Sequence, residues 1–170
     1  MANGNTVNAW TYEFNPLKGW PSPAALTHRV ELAPEQEFKR GMVLHKDPVN
    51  GKGIVGMNGN VMPLYPLRND DEGDVLAHWV VECLVGCGPF EVQTSQFVGE
   101  DFAYNDPVTA GEVGADDAGY VMKATEGFYS EPVVGMVSVK PEPNPYGVSV
   151  LAFWMLFIPA DPARLASISE

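Results

Sequence analysis

Cysteine is nearly absent. The chain has 170 residues and two cysteines, Cys83 and Cys87. Two thiols cannot build a disulfide framework, and no other cysteine exists to complete a closed zinc site with them. On one extended strand, residues four apart have Cα atoms about 13 Å from each other, too far for a disulfide. A turn at Gly86 would bring them closer. Buried free thiols are the expectation. Positive charge is also missing over a long stretch. From Asn69 to Met122 there is no Lys or Arg, and the same stretch holds twelve of the 22 acidic residues. A phosphate-binding surface needs the opposite sign, so direct nucleic-acid binding is not expected.

Long apolar runs are lacking too. The most apolar stretch, 148–158, is too short to cross a bilayer as a helix, and no membrane partner is expected. The opening Met1-Ala2-Asn3-Gly4 has no basic region followed by an apolar run, so no signal peptide is expected. There is no Gly-x-Ser-x-Gly elbow and no phosphate-binding Gly-Lys-Ser/Thr loop; Gly51-Lys52-Gly53 has neither the spacing nor the following hydroxyl. The three histidines, His28, His45 and His78, are scattered on or beside strand candidates and read as structural. The densest acidic run, Asn69-Asp70-Asp71-Glu72-Gly73-Asp74, lacks the twelve-residue calcium pattern and its terminal glutamate. It reads as an exposed loop. No catalytic residue, cofactor or structural metal is expected.

What the chain does have is apolar residues (45%), 17 glycines and 15 prolines. That balance supports a core cut by many turns. Extended candidates fall at 26–32, 42–44, 54–57, 61–64, 75–84, 90–97, 120–122, 133–139 and 146–158. Asp47-Pro48-Val49-Asn50-Gly51, Asn58-Gly59 and Asp106-Pro107 separate some of them. Pro63 and Pro66 suit an edge strand or a loop. The stretch 75–84 has no Pro or Gly. Its Val and Trp residues favour a strand over the rival helix, with Val75, Ala77, Trp79, Val81 and Cys83 on one face. With no long 3.6-residue stripe and no alternation of strand with helix, the class is all-β: a small β-barrel or β-sandwich.

Two segments raise the question of surfaces. Residues 1–23 are punctuated by Gly4, Pro16, Gly19, Pro21 and Pro23, yet hold Trp10, Tyr12, Phe14 and Trp20. They read either as an extended N-terminal arm anchored on a neighbouring surface or as a first strand, since Trp10, Tyr12 and Phe14 alternate. A single β domain follows over 24–160, then a tail over 161–170 with room for one capped helical turn at Asp161-Pro162. The run 151–158 is apolar on both faces of any strand, so both faces should be covered. Either it is a central strand under a loop, or Phe153, Trp154, Met155 and Phe157 meet another subunit.

Lys39-Arg40-Gly41-Met42-Val43-Leu44, followed by Gly59-Asn60-Val61-Met62-Pro63-Leu64, forms a glycine-led strand, turn and return strand. Asp106-Pro107-Val108-Thr109-Ala110-Gly111-Glu112 and Glu131-Pro132-Val133-Val134-Gly135-Met136-Val137 form later strand pairs. On these phrases the chain resembles the small head-decoration, or cement, proteins of tailed bacteriophages. The resemblance implies a β-barrel or sandwich on the outer surface of an assembled capsid. It implies an oligomer, often a homotrimer, that bridges major capsid protein subunits and has no catalytic residues. A carbohydrate- or receptor-binding β-module remains open, with Trp20 or Trp79 stacking on a sugar. So does an enzyme on a small barrel.

Overall fold

The computed structural model describes residues 14–18, 27–59, 61–86, 91–126 and 130–161, with the backbone alone for 14–18. It is nearly all β, as the turn spacing predicts. The longest strands are β11 (Val133–Pro143) and β12 (Ser149–Ile158), which pair antiparallel. Around them a seven-stranded sheet is laid down. β12 is followed outward by β7 (Glu91–Thr94) and then by β1 (Phe14–Lys18) at the edge. β11 is followed by β9 (Pro107–Ala110), β10 (Val121–Lys123) and β8 (Phe97–Val98). Every pairing is antiparallel except β8 with β10. This sheet curls like half a barrel. A second sheet has five strands in the order β2 (Thr27–Glu31), β6 (Val80–Val85), β5 (Leu64–Pro66), β3 (Leu44–Lys46) and β4 (Gly53–Val55).

Two cores follow from the period of two along each strand. Leu151, Phe153 and Met155 of β12 face inward with Val92, Val108 and Val121, and meet Tyr65 and Leu84 from the five-stranded sheet and Val43 and Met57 from the segments before β3 and after β4. The other face of the five-stranded sheet holds a second core of Val30, Leu44, Leu64, Val81 and Cys83. Leu32, Phe38 and Met42, from the segment after β2, close over it together with Val75. Where β5, β3 and the end of β6 meet, the five-stranded sheet is thus buried on both faces. That is why neighbours such as Leu64 and Tyr65, or Cys83 and Leu84, are all apolar. Buried Thr94 ties the sheets together, its Oγ1 donating to the Gly41 carbonyl at 3.0 Å. Cys83 is a free thiol, and burial pushes its pKa up, helped by the charge on Glu82. Cys87 lies outside the described residues.

Three expectations are corrected. The stretch 75–84 is not one strand. Its first part is the short helix α1 (Gly73–His78), and β6 starts at Val80. The Val75 and Leu76 amides both donate to the Glu72 carbonyl, and the Trp79 amide closes the turn on Val75. Val75 alone of the helix is buried, in the second core, while Ala77 and Trp79 are exposed. Local β propensity is a weak preference, and this burial overrides it. Pro66, second, lies on a central strand rather than an edge. β5 pairs with β3 only at Leu64, so at Pro66 no ladder donor is required on that side. The Pro66 carbonyl instead accepts from the Gly41 amide. Third, no described loop covers the outer face of the run 151–158 at Trp154 and Leu156, so the reading of a central strand under a loop does not hold there.

Of segment 1–23, residues 14–18 form β1, paired antiparallel with β7. Trp10, Tyr12, Trp20 and the expected turn at 161–162 lie outside the described residues, except for Asp161 itself.

Candidate functional site

β12 is an inner strand of the curled sheet, between β7 and β11. Val150, Leu151 and Ala152 are all buried, and from Phe153 on the side chains divide by parity. Phe153 (0% exposed) and Met155 (4%) lie in the first core, and Phe157 packs against that core from a half-buried position. Trp154 and Leu156 point the other way, and each is 41% exposed. Beside Trp154 across the strands stand half-buried Met136 on β11 and buried Glu91 on β7. Phe153 and Met155, expected as contact residues, therefore fill the interior. The apolar pair on the surface is Trp154 with Leu156. Leu156 was readable in the sequence from the two-residue period alone, once Trp154 was placed outside.

The acidic run after β5 is the second feature. It is less exposed than its composition suggests, because bases from elsewhere in the chain fold onto it. The Arg40 guanidinium meets Glu72 Oε1 at 2.6 Å, and Arg68 meets Glu72 Oε2 at 3.2 Å. The Arg40 amide donates to Asn69 Oδ1 (2.8 Å), and the Phe38 amide donates to Asp70 Oδ2 (3.1 Å). These contacts clamp the 37–42 segment over the second core. Among the described residues no group of three His, Cys, Asp or Glu is placed to hold a metal ion.

Burial pushes the Glu72 carboxyl up. The Asn69 amide, the Arg40 guanidinium and the Arg68 charge outweigh that and hold it below its ordinary value. A lowered carboxyl pKa contributes stability that is present above the unfolded-state value and lost as the pH falls through the folded-state value. Thermal melts in increasingly acid buffer are expected to show this loss. Glu72→Gln should melt lower at neutral pH and lose less on acidification. Parallel pH profiles for the two proteins would contradict the assignment.

The histidines do not converge. His45 is buried, with Nδ1 2.9 Å from the Gly56 carbonyl oxygen. His28 is exposed on β2, with Nε2 3.1 Å from Lys46 Nζ. His78 is exposed at the end of α1. No family model, curated protein or solved structure matches the chain.

Proposed function

We propose that this chain is a structural protein of a virus particle, which decorates and stabilises an assembled phage capsid by binding the major capsid protein from outside. One observation carries the reading: Trp154 and Leu156 stand exposed side by side on β12, an inner strand of the curled sheet, in a chain of net charge -12. Charge of one sign keeps such a protein dispersed. An aromatic and an aliphatic side chain left outside offer the opposite, an area whose burial contributes about 25 cal/mol per Å². The composition of homo-oligomer interfaces fits this pair. Strands buried by two cores give a rigid body for such a contact, and rigid partners lose less entropy on docking. The resemblance of the sequence to head-decoration proteins suggests the shell as the second partner.

Two measurements test the reading. Light scattering at micromolar concentration should give a homotrimer. Trp154→Ser should shift the mass towards the monomer while the protein stays folded. Mixed with empty shells assembled from the major capsid protein of the virus that encodes it, the chain should sediment with them and saturate at a fixed ratio. A monomeric parent protein counts against the oligomer, and a chain left in the supernatant counts against decoration.

A further inference from the structure

A separate feature lies on the five-stranded sheet. Where β2 ends, a surface cavity of about 370 Å³ is lined by Glu31, Leu32, Pro34, Glu35, Lys52 and Trp79. Trp79 is the only aromatic residue in that lining, and it is 46% exposed. Its backbone is nevertheless fixed on both sides. The amide donates to the Val75 carbonyl at 2.7 Å, and the carbonyl accepts from the Leu32 amide at 2.7 Å.

The backbone here is also strained. Among the described residues three non-glycine residues have left-handed backbone: Glu35 (φ 58°), Trp79 (φ 52°) and Asn105 (φ 67°). Two of the three line this cavity. Left-handed backbone is uncommon for asparagine and rarer for a bulky residue such as tryptophan. A glycine or asparagine would close the end of α1 more easily than Trp79 does. The residue nevertheless leaves 46% of its surface exposed, open to a ligand.

We propose that this cavity is a saccharide-binding subsite, with Trp79 as the platform for one face of a pyranose ring. The chemistry of the lining selects that class. The indole offers a flat apolar surface on a backbone fixed by two hydrogen bonds. Lys52 Nζ lies 3.0 Å from Glu31 Oε1, so a donor and an acceptor sit together at the wall. The Glu35 carboxylate makes no hydrogen bond or ion pair among the described residues. Sugar hydroxyls both donate and accept, and they can join these groups without breaking the Lys52–Glu31 pair. A cationic ligand fits less well. A single ring is not the aromatic cage that quaternary ammonium groups use. The volume is near the lower end of ligand pockets, which run from roughly 300 to 1,000 Å³. It suits one ring of a glycan rather than an extended chain.

This inference does not depend on capsid decoration. Its residues belong to the other sheet, and its test needs no shell. Soluble maltotriose, cellotriose, chitotriose and mannotriose are titrated into the full chain at millimolar concentration. Saturation-transfer NMR and tryptophan fluorescence report binding. At least one sugar is expected to saturate. Trp79→Gly should weaken that binding about tenfold or more, a loss of about 1.4 kcal/mol. The same variant should melt at the parent temperature or above it, because glycine relieves the left-handed strain. Glu31→Gln, an independent change in the wall, should also weaken binding while the protein stays folded. Three results would overturn the proposal: no saturable sugar, sugar binding that survives Trp79→Gly, or saturable binding of tetramethylammonium in place of sugar.

Discussion

Phe153→Ala is expected to cost about 3–5 kcal/mol of stability, which is the usual range for emptying a buried aromatic site. Phe153 is fully buried, and its ring lies 6.2 Å from that of Tyr65 at a tilt of 46°. The two residues come from different sheets, so the contact joins the layers. On its other side the ring lies against Gly135, where an added Cβ would strike Phe153 and come within 2.5 Å of the Trp154 carbonyl oxygen. That close approach leaves little freedom for β11 to collapse into the space the ring would leave. A domain of this kind has about 5–15 kcal/mol in total, so the substitution should remove a large share of it. Guanidinium denaturation at fixed protein concentration measures the change. Trp154→Ser, one residue along the same strand, should shift the midpoint far less. If Phe153→Ala costs under about 1 kcal/mol, far below the usual range, the description of the first core is wrong.

The contrast between these neighbours shows what the sequence made legible. The strands β11 and β12 were readable because long apolar runs bounded by turns have few other solutions. The turn at 47–51 was readable from Asp-Pro and Asn-Gly, and it does join β3 to β4, with Gly51 at φ 73° and the Asp47 amide bonded to the Lys52 carbonyl. Residues 75–84 were not readable as helix plus strand. Helix or strand is decided there by where Val75 is buried, and that depends on a segment more than thirty residues earlier, around Phe38 and Met42. The same holds for the acidic loop. Its neutralising arginine, Arg40, precedes Glu72 by 32 residues, and composition cannot see such a pairing. The sequence offers Trp79 both as a platform for a sugar and as part of a strand face. Only the backbone geometry separates it from a core residue.

Gly111→Ala is expected to cost about 3 kcal/mol or more, at or beyond the top of the range for overpacking. Gly111 follows β9 at the place where the chain turns back over 112–119 towards β10. A Cβ there would strike the Asp117 carbonyl oxygen and come within 2.9 Å of the Ala118 nitrogen. Both belong to backbone, which cannot swing aside as a flexible side chain can. The glycine cannot retreat either. Its amide donates to the Tyr120 carbonyl (3.0 Å), and its carbonyl accepts from the Met57 amide (2.8 Å) and the Gly119 amide (3.1 Å). Met57 also bridges Glu112, so the crossing links the segment after β4 to the β9–β10 connection. Shifting Gly111 to admit a methyl group would break bonds on both sides of that link. Gly114→Ala provides the control in the same loop. Its φ is 81° but nothing lies within 4 Å of the added Cβ, so only the left-handed backbone is penalised, at about 1–2 kcal/mol. Hydrogen exchange at the Met57 amide separates the two effects. Gly111→Ala should deprotect it strongly, and Gly114→Ala should leave it nearly unchanged. Equal melting temperatures for the two variants would mean that the loop yields, and that the crossing is not the joint between the sheets.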